Sequence, residues 1–167
     1  MKGIAYFLNA AIDGFLATLK DGQPRVRPCQ FMLEDEGKLC FSTNNSKEVC
    51  KQLKQNPSME FSSMNKDGGW IRFRGQVKFT DAIAVKEKIL AKSAVVRGIY
   101  KTSDHLNFEV FYVDHGSAQL VEAAGQPVRK VDFQVPRSYP IIVHSRPLSP
   151  KPSQPSSVTA TASSILT

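Results

Sequence analysis

A mainly β (α+β) fold, an antiparallel barrel with peripheral helices, is the fold class that this sequence predicts. Three observations carry it. Six or more short runs of strand character, each bounded by turn residues, are spread between Phe15 and Phe133. The run Trp70–Thr80 alternates cleanly, with Ile71, Phe73, Gly75, Val77 and Phe79 on one face and Arg72, Arg74, Gln76 and Lys78 on the other. Helical periodicity is confined to a few short stretches, so the strands must bury their inner face mostly against one another, as a closed barrel does.

Taken in order, Ile4, Phe7, Leu8 and Ala11 have helical spacing and predict a short opening helix. Phe15–Lys20 reads as a strand, and Lys20-Asp21-Gly22-Gln23 is a hairpin turn signal. Arg25–Leu33 is the next strand. Pro28 inside it has no backbone donor and so suits a sheet edge. Glu34–Gly37 turns the chain into Lys38–Ser42. Asn45, with Glu48 three residues on, predicts a capping box for a helix that runs to Gln55 and is stopped by Asn56-Pro57. Ser58–Ser63 and Trp70–Thr80 form a pair joined by Asn65–Gly69. Asp81 is expected to cap a helix burying Ala84, Val85, Ile89 and Leu90. Asn107–Val113 and Gln119–Glu122 are the closing strands, with Val131–Phe133 a candidate last one.

Composition divides the chain in two. Residues 135–167 hold six of the ten prolines, many Ser and Thr, and no carboxylate. Such a stretch cannot bury enough apolar surface to offset its ordering entropy, so a disordered tail is expected after a folded domain of residues 1–134. The formal charge is +7, but three cations (Arg137, Arg146, Lys151) belong to the tail, leaving the domain 19 basic against 15 acidic residues. That mild excess suits a phosphate-bearing ligand as well as nucleic acid. Basic and aromatic residues do not interleave as a stacking platform requires, so no nucleic-acid partner is expected. Cys29, Cys40 and Cys50 are odd in number and lack metal-site spacing, which predicts buried, reduced thiols and no metal. No apolar run approaches the roughly 20 residues that span a bilayer. The opening stretch is interrupted by Asp13 and has no clean cleavage site, so no membrane association and a cytoplasmic location are expected.

The segment Gln23–Gly75 concentrates the candidate chemistry. Arg25 and Arg27 lie two apart on a strand and leave the same face, where arginine can hold a phosphate bidentately. A flat ring could lie against the edge marked by Pro28 and hydrogen-bond the main chain of Cys29 and Gln30. Ser42-Thr43-Asn44-Asn45-Ser46-Lys47 joins a strand to a helix start, where N–H groups, hydroxyls and the helix dipole favour an anion. Lys51 follows one turn later. Trp70, the only tryptophan, is placed to stack on a ligand or fill core. Taken alone, the arginine pair fits a solvated face as well as a ligand, while an ordinary cap with solvated lysines is the favoured reading of Ser42–Lys47 and a packed interior that of Trp70. His105 and His115 read as loop residues and His144 belongs to the tail; no hydrolase triad, HExxH or paired-carboxylate motif is present.

Together, FLATLKDGQPRVRP, EGKLCFSTNNSKEVCKQLKQNPSMEFS and GGWIRFRGQV resemble the pyridoxamine 5′-phosphate oxidase-like FMN-binding split-barrel proteins, in particular their short Nim-like and general-stress-type subgroup. The resemblance covers roughly residues 1–125. It implies a six-stranded antiparallel split β-barrel acting as a homodimer, with FMN at the subunit interface and electrons or hydride passing between small-molecule donor and acceptor. By position, Arg27, Pro28, Cys29 and Gln30 would line the ring and ribityl chain. Ser42, Thr43, Lys47 and Lys51 would hold the phosphate, and Trp70 would approach from the second subunit. The oxidases proper carry a C-terminal Arg-x-His element, whereas this chain has His144-Ser145-Arg146, so oxidation of a B6 vitamer is not implied. A flavin- or haem-binding carrier or sensor without turnover is the alternative.

Overall fold

The computed structural model describes residues 2–136. The expected tail lies, from residue 137 onward, outside the described residues. Helix α1 (Lys2–Ala10) leads into the hairpin β1 (Asp13–Lys20) and β2 (Gln23–Asp35). Its turn places Asp21 and Gly22 at positive φ, 53° and 73°, the conformation a two-residue hairpin needs. Strand β3 (Lys38–Asn44) is followed by α2 (Glu48–Gln55), then β4 (Ser58–Met64), β5 (Trp70–Thr80), α3 (Ile83–Lys92), α4 (Ala94–Tyr100), β6 (Phe108–Val121) and β7 (Arg129–Gln134). All pairings are antiparallel in the order β3-β2-β1-β4-β5-β6-β7, and a further β3–β6 ladder closes β1–β6 into a six-stranded barrel. Strand β7 adds to the outer half of β6 from His115 to Leu120.

Alternation puts the core inside. Phe31, Phe41, Phe61, Phe73 and Phe111 are all buried in the barrel, with Phe41 stacked on Phe111 at 5.5 Å and Phe61 on Phe73 at 5.3 Å. A second apolar cluster lies where α3 and α4 pack on the outside of β3 and β6, through Cys40, Val85, Ile89, Val96, Tyr100, Phe108 and Val110.

Several local expectations are corrected. Asn45 and Glu48 form no capping box: Lys47 occupies the cap position without a side-chain bond, Asn45 Nδ2 donates to the Leu106 carbonyl at 2.9 Å, and Glu48 pairs with Lys20 and Lys51. Asp81 does not cap α3, where Ala82 stands at that position; Ala84 is exposed and Lys86 takes the inward place, its Nζ 5.8 Å from the centre of the Phe108 ring. The two expected closing strands are one strand, β6, which absorbs an extra residue opposite Gln76 and Val77 and continues. His115 therefore sits in a strand, beside the Asp114 carboxylate at 3.2 Å. Helix α4 is capped by Ser93, whose Oγ accepts from the Val96 N–H at 3.2 Å. Val135 still belongs to the folded body, buried with its N–H donating to the Asp114 carbonyl at 2.7 Å.

Candidate functional site

The barrel is split between β2 and β3. Their ladder runs only from Phe31 to Asp35 on β2, with an irregularity between Phe31 and Leu33. From Gln23 to Gln30, β2 pairs with β1 alone. The backbone of Arg27–Gln30 therefore presents one edge with no ladder partner among the described residues. An unpaired strand edge is a row of N–H and C=O groups available to a ligand.

The opening is a cleft of about 580 Å³, within the usual range for small-molecule and cofactor sites. Arg27, Pro28, Cys29 and Gln30 line it from β2, Ser42 and Thr43 from β3, and Lys47 from the start of α2. Asp13 and Gly14 close it from β1, and Val96, Ile99 and Tyr100 of α4 form an apolar wall. Lys51 and Trp70 are not brought to this cleft. Lys51 turns to Glu48, Nζ to carboxylate 3.0 Å, and is largely exposed. Trp70 sits half-buried at the start of β5, in register with Met64 and Val121 and beneath the Arg72 guanidinium.

Arg27 and Lys47 bring positive charge to a cleft that Ser42 and Thr43 also line, and Lys47 stands at the positive end of α2. Burial pulls the Arg27 guanidinium below its ordinary value, although it stays charged at any physiological pH. The Cys29 thiol is pushed up to about 11 by burial, against the opposing pull of Arg27 and Lys47, so it is neutral at pH 7. Burial also raises the Tyr100 phenol. Asp13 is tied to Gln30, whose Nε2 donates to Oδ1 at 2.7 Å.

Sequence reading missed three contributions. The α4 wall was not expected because Val95, Val96 and Gly98 make AVVRGIY a weak helix former; the capping Ser93 was its available signal. Thr18 and Gln52 are buried and grip Arg27. Gln52 lies three residues from Val49 and next to Leu53 on the inward stripe of α2, a polar residue where an apolar one is the rule.

This geometry can be set beside known proteins. Residues 2–129 match the family model described as pyridoxamine 5′-phosphate oxidase. The chain belongs to that family. A NimC/NimA family protein from Clostridium acetobutylicum is similar at 36% identity, over 80% of this chain and 92% of that one, with a TM-score of 0.74. General Stress Protein 26 from Bacillus anthracis (13% identity, 79% and 97% covered, TM-score 0.64) and a heme binding protein from Mycobacterium smegmatis (16% identity, 74% and 54% covered, TM-score 0.63) share the fold. Among curated proteins none matches the chain significantly. No helix of the described residues is long and apolar enough to cross a membrane.

Proposed function

We propose that this protein is an FMN-binding flavoprotein and an oxidoreductase, working as a homodimer on small-molecule donors and acceptors. One observation carries the reading: the unpaired edge of Arg27–Gln30 faces the same cleft as Ser42, Thr43 and Lys47. A flat heterocycle with polar edges fits such an edge, and a phosphate fits two hydroxyls, a lysine and a helix N-terminus. When bound, FMN supplies the hydride and electron chemistry. The chain's own part is to hold the ring against β2, fix the phosphate by charge, and exclude water with the α4 wall. Cys29 and Tyr100, whose ionisation burial pushes still further above neutral pH, add no charge beside the ring. In this reading Lys51 lends long-range positive charge to the phosphate end and Trp70 reaches the flavin from the second copy.

Haem is the less suitable ligand. Neither His105 nor His115 lines the cleft, so no described histidine stands there as a ligand to haem iron. The deciding experiment is the visible spectrum of the purified protein with the mass of the small molecule released on denaturation. FMN is expected; haem, a deazaflavin, or colourless protein that ignores added FMN overturns the cofactor. Bound FMN that neither NADH nor NADPH reduces in stopped-flow mixing would favour a carrier or sensor over a nicotinamide-dependent oxidoreductase.

A further inference from the structure

Arg27 is held along one edge only. A guanidinium offers five N–H donors: an end-on fork of Nη1 and Nη2, a side-on fork of Nη2 and Nε, and a second Nη1 hydrogen outside both forks. Here Nη1 donates to the Thr18 hydroxyl at 2.5 Å and to the Leu16 carbonyl at 3.4 Å, while Nη2 donates to Gln52 Oε1 at 2.9 Å. The Thr18 hydroxyl in turn donates to Gln52 Oε1 at 2.6 Å. Two acceptors that close together occupy the end-on fork as a pair. Nε and the remaining Nη2 hydrogen have no hydrogen-bond partner among the described residues. That leaves the side-on fork, whose spacing matches two oxygens of a phosphate.

The two holders suit a fixed grip. Thr18 is 2% and Gln52 4% exposed. They come from different elements, β1 and α2, and α2 is the helix that carries Lys47 at its cap. The same contacts therefore set Arg27 and Lys47 in one frame, on a cleft that both line. A free arginine would lose much side-chain freedom on meeting an anion, whereas a clamped one has lost it already.

We propose that Thr18 and Gln52 are positioning residues, which clamp the end-on edge of Arg27 so that its side-on edge meets the phosphate of FMN in the cleft. The proposal rests on the flavin reading and adds to it two residues that touch no ligand.

The test measures dissociation constants of the full chain for FMN and for riboflavin, which lacks the phosphate. Wild type is expected to prefer FMN strongly. Gln52→Leu should lose roughly ten-fold in FMN affinity, the scale of a charge-assisted hydrogen bond, with riboflavin unchanged. In an Arg27→Met background the same change should cost about two-fold or less, because its effect runs through Arg27. Thr18→Val should behave like Gln52→Leu, and Thr18→Ser like wild type; this pair decides the matter if Gln52→Leu does not fold. Equal losses for both flavins, or additive losses in the double variant, would mean that the trio only fills core and would overturn the clamp. Wild type that binds both flavins equally overturns the clamp and leaves the flavin reading standing. Wild type that binds neither overturns both.

Discussion

Lys47 and Lys51 lie one helical turn apart and carry the same charge, yet the fold gives them different work. Lys47 lines the cleft at the cap of α2, while Lys51 is paired with Glu48, which also holds Lys20. Lys47→Ala should weaken FMN binding by about ten-fold, the effect of one cation at a phosphate, and Lys51→Ala by about two-fold or less; flavin fluorescence quenching measures both. Losses of equal size would mean that Lys51 swings into the site. A second residue-scale prediction concerns Cys40, fully buried between β3 and the outer helices. Burial raises its thiol from 9.0 to about 12. Between those values the unfolded chain sheds the proton and the folded chain keeps it, so stability is intact below pH 9 and falls as pH rises toward 12. One such proton gives a slope of up to about 1.4 kcal/mol per pH unit. Cys40→Ala should be less stable at pH 8 because of the cavity, but its stability should decline less steeply between pH 9 and about 11 in urea titrations. Parallel decline in the two proteins would show that another group sets the alkaline limit.

At the scale of elements, strands were legible where a strict alternation set one face against the other. Trp70–Thr80 has a buried Ile71, Phe73 and Val77 against exposed Arg72, Arg74, Gln76 and Lys78, so its limits and its inner face could both be read. Strand β6 could not, because Asp114-His115-Gly116-Ser117 has turn composition. The chain stays extended there by bulging, and Gly116 lies so near the Arg74 carbonyl that a side chain would collide with it. Arg27–Gln30, Ser42, Thr43 and Lys47 line one cleft, and the sequence marks them only by the edge proline and the strand-to-helix junction, since the Asn45 cap expected there does not form. The Thr18–Arg27–Gln52 contacts were not, since they join residues 9, 25 and 34 positions apart, a distance that no local pattern encodes. Gly14 shows a similar dependence on tertiary approach. It pairs with Ser63 across β1 and β4, and an added Cβ would run into the Phe61 ring and the Ser62 carbonyl. Gly14→Ala should therefore cost about 1–3 kcal/mol in urea denaturation, as overpacked sites do, and weaken flavin binding because the residue lines the cleft. A neutral effect would mean that β1 and β4 separate there freely.

For the whole molecule, the question is what covers the outer face of the sheet. Helices α3 and α4 shield β3, β6 and the Met32–Leu33 part of β2, and α1 and α2 contact the barrel elsewhere, leaving the Gln23–Pro28 part of β2 uncovered. The outside of β1, β2 and β4 carries Phe15 (59% exposed), Val26 (64%) and Met64 (67%). Register makes part of this a patch: Phe15 stands opposite Pro28 and Ser62, and Ala17 opposite Val26. Large apolar side chains clustered on one sheet face mark an association surface, and a twofold pair of such faces is the simplest way to cover both. The face also includes Pro28 and Phe15, which line the cleft, so the flavin would sit at the margin of the contact. If the protein is a dimer joined here, Phe15→Asp combined with Val26→Asp buries charge against charge and should give monomers in sedimentation. Because the second copy is then lost as a wall, FMN affinity should fall with it, by roughly ten-fold or more, the worth of an aromatic contact such as Trp70 together with excluded water. A single-site Val128→Asp change, exposed on the segment before β7, should leave both properties as they are. Monomers that keep full flavin affinity would place the whole site within one chain, and dimers that survive the double change would move the interface to another face.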